Sequence, residues 1–311
     1  MDLLQLEIDT NQFIRVNRLS GNIPQGFGSM DLLELEMDTN QLSGNLPNDL
    51  CHGGKLIKCK NLTALGIGYN NISGIIPPEF GNSTQLHRLD FSSNNIVGEI
   101  PKEIEKMISL LYLSLTDNQL SGIVALELRS LRDLITLDIS SNRLNGAIPR
   151  NIVHWEHMFY VNLSNNKLSE KIPSEIGKLS QLTTLDLSHN LLTEEIPSAL
   201  QSLQNLLHLN LSHNSLSGSI ADAFRDFHSG IDINLSYNEL TGPVPPYAVF
   251  VNASIEVFQG NPCLCGNVTG LKLCPSTSMM KKNDPFRHKL ILVIVLPFLG
   301  HYYLVYSFVA S

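Results

Sequence analysis

The sequence predicts an elongated solenoid in which short parallel β-strands stack into one curved sheet. Two observations predict it. One eight-residue phrase recurs ten times, in forms such as NQLSGNLP at 40–47 and NRLNGAIP at 142–149. From residue 70 to residue 238, the Asn that opens this phrase returns every 24 residues. A fixed period of about 20–50 residues is the signature of a repeat architecture.

The residues just before each Asn predict the strand of the repeat. Apolar residues lie eight, five and three positions upstream, as Leu182, Leu185 and Leu187 do before Asn190. Between positions −6 and −2, polar and apolar residues alternate, which is the period of a strand with one buried face. One turn can bury its leucines only against neighbouring turns, so the strands are expected to stack in parallel.

The Asn, Gly and Pro of the phrase predict how the chain leaves the strand. We expect the Asn to face inward and to satisfy backbone groups left unpaired at the corner. Losing such a buried partner costs about 1–3 kcal/mol. The Gly permits a corner with positive φ, and the Pro ends strand pairing on the outer side. These roles are structural, so Asn and Gly are not counted among the candidate binding residues.

The complete pattern, LxxLxLxxNxLSGxIP, resembles the plant-specific class of extracellular leucine-rich repeat (LRR). The segments CKNLTAL (59–65), NNISGIIPPEFGNSTQL (70–86) and NPCLCGNVTGLKLC (261–274) are similar to receptor-like kinase ectodomains, in particular the male-discoverer-interacting receptor-like kinase group. This resemblance implies an α/β-type LRR solenoid with a parallel β-sheet on its concave face, followed by a single transmembrane helix. The family also carries a Ser/Thr kinase domain beyond that helix.

Four segments are expected along the chain. They are the solenoid at 1–246, a cysteine cap at 247–280, a basic linker at 281–289 and a transmembrane segment at 290–311. Residues 290–310 contain no Asp, Glu, Lys or Arg and are long enough to cross a bilayer as a helix. The alternative is a hydrophobic tail produced by a frameshift or a retained intron. The resemblance implies a single-pass plasma-membrane protein with extracellular repeats.

The N-terminal residues are expected to leave the first turn of the solenoid uncapped. Residues 1–12 and 30–41 match at ten of twelve positions, which indicates a recent duplication or a faulty gene model. Residues 1–12 also lack the basic region and the unbroken apolar run of a secretory signal.

The resemblance implies that Cys265 and Cys274 form the closing disulfide of the cap, which requires an oxidising compartment. Cys263 is extra and could replace Cys265, while Cys51 and Cys59 either pair with each other or stay free. Eight N-x-S/T sequons occur, and those at Asn162, Asn210 and Asn234 fall within predicted strands. Glycosylation is expected instead at four other sequons, Asn61, Asn82, Asn252 and Asn267.

Positions −6, −4 and −2 of successive repeats form a continuous polar surface, where recurring Asp and Ser are typical filler. Five residues at these positions depart from the filler and are the candidate ligand-binding residues: Arg88, Tyr112, Tyr160, His208 and Asp232. Aromatic side chains supply contact area and carboxylates accept amides or cations, so the surface suits an extended peptide. The expected partner is a secreted peptide or an LRR co-receptor, with membrane lipid contacting 290–310.

Several function classes are excluded or disfavoured. The net charge of −8 argues against a nucleic-acid partner. The kinase motifs are absent, so no catalytic residue is expected. No metal or other cofactor is expected, because the pair His154 and His157 lacks a helical HExxH context. The alternatives to a receptor part are a kinase-less LRR decoy, an inhibitor of a wall-degrading enzyme, or a non-functional truncated product.

Overall fold

The computed structural model describes residues 12–13, 18–24, 33–47, 62–220 and 222–275. The predictions that concern the uncapped first turn, Cys51, Cys59, Asn61, residues 276–280 of the cap, the linker 281–289 and the segment 290–311 lie outside these residues. The chain divides into two units, Met1–Lys272 and Leu273–Ser311. All the secondary structure described below lies in the first unit.

The predicted parallel strands are present, one in each repeat. Numbered in chain order, the strands of this ten-stranded main sheet are β1 (Gln12–Phe13), β3 (Glu34–Glu36), β5 (Ala64–Gly66), β7 (Arg88–Asp90), β9 (Tyr112–Ser114), β11 (Thr136–Asp138), β13 (Tyr160–Asn162), β15 (Thr184–Asp186), β17 (His208–Asn210) and β19 (Asp232–Asn234). Each strand pairs in parallel with the strand of the next repeat. The leucines that define the pattern, such as Leu182, Leu185 and Leu187, are buried between the turns.

The segment after each Asn forms further parallel sheets that the sequence analysis did not predict. Their strands are β2 (Ser20–Asn22), β4 (Gln41–Asn45), β6 (Asn71–Gly74), β8 (Asn95–Gly98), β10 (Gln119–Leu120), β12 (Asn145–Ala147), β14 (Lys167–Lys171), β16 (Leu191–Thr193), β18 (Ser217–Gly218), β20 (Glu239–Pro243) and β21 (Cys263–Cys265). They form one five-stranded and two three-stranded sheets. The strand β21 continues the stack into the segment assigned to the cap.

In six consecutive repeats the return half of the turn is a short 3-10 helix, which in five of them begins directly after the Pro of the phrase, and two shorter 3-10 helices follow the last phrase. The helices are Pro78–Asn82, Lys102–Lys106, Leu126–Ser130, Arg150–His154, Ser174–Lys178, Ser198–Ser202, Ala248–Phe250 and Ile255–Val257. The expectation of an α/β-type fold therefore differs from the structure, because the described residues contain no α-helix. The return segments of neighbouring turns pack directly against one another, and the narrower 3-10 helix fits this close packing.

The repeat Asn joins each turn to the turn before it. The side-chain amide of Asn190 donates to the carbonyl oxygens of Leu163, Leu187 and Ser188 at 3.0–3.1 Å. Its side-chain oxygen accepts from the backbone N–H of Leu168 at 2.9 Å. Equivalent bonds recur at Asn70, Asn94, Asn118, Asn142, Asn166, Asn214 and Asn238. This inward-facing role was predicted from the sequence.

Asn261 extends this asparagine ladder beyond the last sequence repeat. Its amide donates to the carbonyls of Leu235 and Phe258 at 2.9 Å, and its side-chain oxygen accepts from the N–H of Leu240. The spacing of 23 residues from Asn238 and the absence of the LSGxIP phrase hide this turn in the sequence.

The segment predicted to form the cap contains disulfide-bonded cysteines. Cys265 and Cys274 are both disulfide-bonded, whereas Cys263 is a free and exposed thiol. Across the part of the chain described, no helix has the length and apolar character required to cross a bilayer.

Two repeats place a glutamate where the phrase normally has glycine. Gly146 and Gly218 have φ of 73° and 74°, and Glu170 and Glu194 adopt the same left-handed conformation at 62° and 63°. A residue with a Cβ atom is disfavoured there by about 1–2 kcal/mol. The exposed ion pair between Lys171 Nζ and Glu194 Oε2, at 3.6 Å, offsets only part of this cost.

Glu194→Gly is expected to stabilise the protein by about 1 kcal/mol, because glycine relieves the left-handed strain. The measurement is the shift of the urea denaturation midpoint. The reverse change, Gly218→Glu, is the matched control and should destabilise, since a Cβ there would lie 2.7 Å from Glu195 Cγ. A Glu194→Gly protein that is less stable than the wild type would contradict the argument from strain.

Asn190→Ala is expected to destabilise the protein by at least about 2 kcal/mol, because it leaves several buried backbone groups without a partner. The control is Asn205→Ala, which removes one exposed hydrogen bond to the Ser180 carbonyl and should cost less than about 1 kcal/mol. Chemical denaturation of both variants measures the difference. Equal effects would show that the asparagine ladder is not a special source of stability.

Candidate functional site

The five predicted ligand-binding residues lie in one row across the main sheet. Each is the first residue of its strand, and strand pairing aligns them in the order Arg88, Tyr112, Thr136, Tyr160, Thr184, His208 and Asp232. We call these seven the first-residue row. The second residue of each strand points into the core, so the first and third share the solvent face. The structure therefore brings the five candidates together on one face.

Arg88 is held by other side chains at one end of this row. Its Nη2 lies 2.6 Å from Asp90 Oδ2, and its Nε lies 3.5 Å from Glu36 Oε1. The guanidinium carbon also lies 4.5 Å from the ring centroid of Tyr112, a cation–π contact. These three contacts fix the orientation of Arg88 and make it a support for the Tyr112 ring.

The ion pair between Arg88 and Glu36 crosses an intervening strand. Glu36, Gly66 and Asp90 are aligned on β3, β5 and β7, so the side chain that would separate the pair is a glycine hydrogen. The sequence analysis missed Glu36 and Gly66. The available signal was a charged residue four positions before Asn40, in register with a glycine in the next repeat.

Tyr112 and Tyr160 are half-buried aromatic anchors. Burial raises the pKa of Tyr112, and the Asp90 carboxylate raises this pKa further. Burial also raises the pKa of Tyr160, with a second contribution from Asp138. Both phenols therefore stay neutral at physiological pH and can donate a hydrogen bond to a ligand. Such rings, with an apolar body and a polar tip, are common anchors in protein interfaces.

His208 and Asp232 form the opposite end of the first-residue row. His208 Nδ1 lies 3.4 Å from Asp232 Oδ2, and both side chains are exposed. The row thus changes from an arginine fixed by carboxylates, through two tyrosines and two threonines, to an exposed histidine–aspartate pair. This arrangement offers hydrogen-bond donors and acceptors to a chain that lies across the strands.

The Asp and Ser residues on this face have a structural role. Oδ1 of Asp138 accepts from the backbone N–H of Ser140 at 3.1 Å and from its hydroxyl at 2.6 Å. Asp90 makes the same two bonds to Ser92, and Asn162 to Ser164. The interpretation of these residues as consensus filler therefore has a physical basis, because they stabilise the end of each strand.

Three of the expected glycosylation sites lie within the described residues. Asn82, Asn252 and Asn267 are exposed. The strand sequons differ, because Asn162, Asn210 and Asn234 are half-buried and their side-chain oxygens accept from the serine two residues later. The side-chain environments agree with the preference given to the first group, which remains a prediction.

A second cluster, which the sequence analysis did not treat as functional, lies immediately before the repeat asparagines. The rings of His189 and His213 stack with centroids 4.1 Å apart, and His213 stacks on Tyr237 at 4.3 Å. All three side chains are exposed. The signal in the sequence was the 24-residue spacing, which places equivalent side chains one strand apart.

The stacked rings predict a pH dependence of stability. Desolvation lowers the pKa of His213 from its ordinary 6.5, and the charge of His189 lowers it further. The unfolded chain then binds a proton more readily than the folded one, so stability falls as pH drops below about 6.5. His213→Gln should reduce this loss between pH 7.5 and 5.0, measured by thermal melting. His157→Gln, outside the stack, should retain it, and equal curves for both variants would contradict the assignment.

The described residues contain no group of three or more His, Cys, Asp or Glu side chains placed to hold a metal ion.

Stacked parallel strands, the asparagine ladder and 3-10 return segments are the features of a leucine-rich-repeat solenoid, and the described residues form one. Two family models, both described as leucine-rich repeats, match the chain. One matches residues 132–192 and 180–240, and the other matches residues 61–83 and 85–107. No curated protein sequence gives a significant match.

Solved structures that are similar to the chain include the ectodomains of plant receptor kinases. It is similar to the LRR ectodomain of GASSHO1/SCHENGEN3 from Arabidopsis thaliana, in complex with CASPARIAN STRIP INTEGRITY FACTOR 2, with 32% identity and a TM-score of 0.74. That match covers 86% of this chain and 34% of the ectodomain. The Arabidopsis receptor kinase HAESA, in complex with the peptide hormone IDA and the co-receptor SERK1, has 32% identity and a TM-score of 0.69 over 82% of this chain and 46% of HAESA's.

A plant ice-binding protein is also similar, with 26% identity and a TM-score of 0.70. This match covers 85% of this chain and 83% of the ice-binding protein. The chain thus spans about a third to a half of the receptor ectodomains and most of the ice-binding protein.

Proposed function

We propose that the chain is the ligand-recognition part of a plant receptor-like kinase of the male-discoverer-interacting group. The observation that carries this proposal is the first-residue row, where two half-buried tyrosines and an exposed histidine–aspartate pair align across parallel strands. The similar receptor kinase HAESA has been solved with a peptide hormone and a co-receptor bound. The ligand of this chain would be a secreted peptide, and its partner an LRR co-receptor.

In this proposal the residues of the row have different roles. Tyr112 and Tyr160 supply the apolar contact area and neutral hydroxyl donors. His208 and Asp232 bind polar groups at one end of the peptide, and Arg88 orients Tyr112. Aromatic anchors of this kind carry much of the binding free energy in protein interfaces.

The proposed organisation of the full chain follows the sequence. The solenoid occupies 1–246, the cap 247–280 and the basic linker 281–289, and residues 290–311 anchor the chain in the plasma membrane. Glycans at Asn61, Asn82, Asn252 and Asn267 and a Cys265–Cys274 disulfide would accompany an extracellular location. A kinase domain elsewhere in the receptor would transmit the signal.

A second candidate function is that of a kinase-less LRR protein, such as a decoy receptor or an inhibitor of a wall-degrading enzyme. The supporting observation is that a similar solenoid occurs in a plant protein described as ice-binding and not as a receptor kinase. A decoy would bind the same peptide through the same row. A decoy would differ from a complete receptor in having no kinase domain to transmit the signal.

Tyr160→Ala is expected to weaken peptide binding at least about tenfold, because loss of an aromatic hot spot costs about 2 kcal/mol or more. The probe is the set of peptides that the full chain, held in detergent, selects from a phage-displayed library of random 12-residue sequences. Affinities of the synthetic peptides are measured by biolayer interferometry.

The control is Thr184→Ala, which truncates the neighbouring member of the same row and should change affinity less than about threefold. Selected peptides that bind equally to the wild type and to both Tyr112→Ala and Tyr160→Ala would overturn the proposed site. A library that yields no binding peptide would overturn the peptide-receptor function itself.

A further inference from the structure

We propose that a cavity beside the first-residue row is a specificity pocket that receives one uncharged, bulky apolar side chain of the peptide ligand. The cavity has a volume of about 410 Å³ and is lined by Phe159, Gln181, Thr183, Gln204, Asn205, Leu207 and His228. This inference rests on the proposed function and adds the chemical class of the ligand side chain.

A row of exposed apolar residues occupies one solvent-facing position of the repeat. The residue seven positions before the repeat Asn is Leu111, Ile135, Phe159, Thr183 or Leu207 in five consecutive repeats. We call these residues the edge row. Leu111 and Ile135 are 37% and 38% exposed, and Phe159 and Leu207 are 45% and 49% exposed. Folding alone does not account for four large apolar residues at a solvent position, and contiguous exposed apolar surface is typical of binding sites.

Backbone hydrogen bonds fix the positions of the edge-row residues. The N–H of Phe159 donates to the carbonyl of Ile135, that of Thr183 to Phe159, and that of Leu207 to Thr183, at 2.8–2.9 Å. The side chains therefore stand at strand spacing on a rigid scaffold. A site built on paired strands is largely preformed, which reduces the entropy lost on binding.

Thr183 creates the cavity. It is the one small residue between Phe159 and Leu207, so a gap opens where the neighbouring repeats place large apolar side chains. Its hydroxyl donates to the Phe159 carbonyl at 3.0 Å, so that its hydrogen-bonding capacity is used and its methyl group remains for contact. A volume of about 410 Å³ lies within the range of about 300–1,000 Å³ that is typical of ligand pockets.

The wall of the cavity selects an uncharged group. Its lining includes no carboxylate, ammonium or guanidinium group. The Asn205 amide donates to the Ser180 carbonyl at 2.8 Å, and the Gln204 amide donates to the Gln201 carbonyl at 2.6 Å. A cationic side chain in this cavity would lose hydration without gaining an ionic partner, and an anionic one could meet only the exposed imidazole of His228.

The position of the cavity identifies its occupant as part of the same peptide. Phe159 immediately precedes Tyr160, and Leu207 immediately precedes His208, so the edge row is continuous with the first-residue row. A peptide lying over Tyr160 and His208 would cross Thr184, whose chain neighbour Thr183 forms the floor of the gap. One of its side chains can then enter the cavity while its backbone stays on the row.

The test is a double-mutant cycle with the peptides selected by the full chain from the phage library. The wild type is expected to select peptides that share a Leu, Ile, Met or Phe at one fixed position, and changing this residue to Ala should weaken binding about tenfold. Leu207→Gln should weaken the parent peptide similarly and abolish its advantage over the Ala peptide. Thr183→Trp, which fills the gap, should do the same.

Leu111→Gln is the matched control, because Leu111 holds the same repeat position outside the cavity. It should leave the advantage of the apolar residue intact, and thermal melting of all variants checks their folding. If the apolar residue keeps its full advantage in both Leu207→Gln and Thr183→Trp, the pocket is overturned while binding that depends on Tyr160 upholds the proposed function. Failure to select any peptide would overturn both.

Discussion

The asparagine ladder is the interaction on which the rest of the structure depends. A turn of 24 residues changes direction several times within a few residues, and each change leaves backbone groups that the sheets cannot pair. One amide side chain, as at Asn190, satisfies groups in its own turn and in the turn before it. These hydrogen bonds complete the corner of one turn and also link it to the turn before, so they fix the spacing of the repeats. Asn261 continues the ladder after the recognisable phrase has ended, so the hydrogen-bond geometry extends further than the motif.

Because the turns have a fixed spacing, residues that recur with the sequence period form rows on the surface of the protein. Residues 24 positions apart lie on neighbouring strands, so any position of the repeat becomes a row whose composition can change without altering the fold. The first-residue row contains tyrosines and an ionic end, and the edge row contains exposed apolar residues beside a single threonine. The stacked rings of His189, His213 and Tyr237 arise in the same way. Binding specificity in such a molecule therefore depends on which side chains occupy each row, while the buried leucines and asparagines stay constant.

Departures from the consensus show which positions of the repeat tolerate other residue types. Glu170 and Glu194 occupy a left-handed corner that other repeats give to glycine, and the fold accepts the local strain because the surrounding bonds determine the backbone. Gly66 is a departure of another kind, because it has no side chain. The ion pair between Arg88 and Glu36 can therefore form across the strand β5. The chain is similar both to a receptor kinase solved with a peptide hormone and to an ice-binding protein, so one scaffold supports different partners. The function of such a protein therefore depends on the residues of its surface rows and not on the fold, as for other folds with many functions.

The sequence by itself determined the solenoid, its parallel main sheet, the inward Asn and the alignment of Arg88, Tyr112, Tyr160, His208 and Asp232. These follow from local periodicity, because a residue's face in a strand depends only on its position in the repeat. The tertiary structure decided what the period does not encode. The 3-10 returns and the additional sheets depend on how closely turns pack, and the contacts of Arg88 with Glu36 depend on a gap one strand away. The cavity at Thr183 likewise exists only because neighbouring turns place Phe159 and Leu207 on either side of a small residue. A linear pattern assigns each residue to a row, whereas its partners across rows are set by side-chain size and reach in three dimensions.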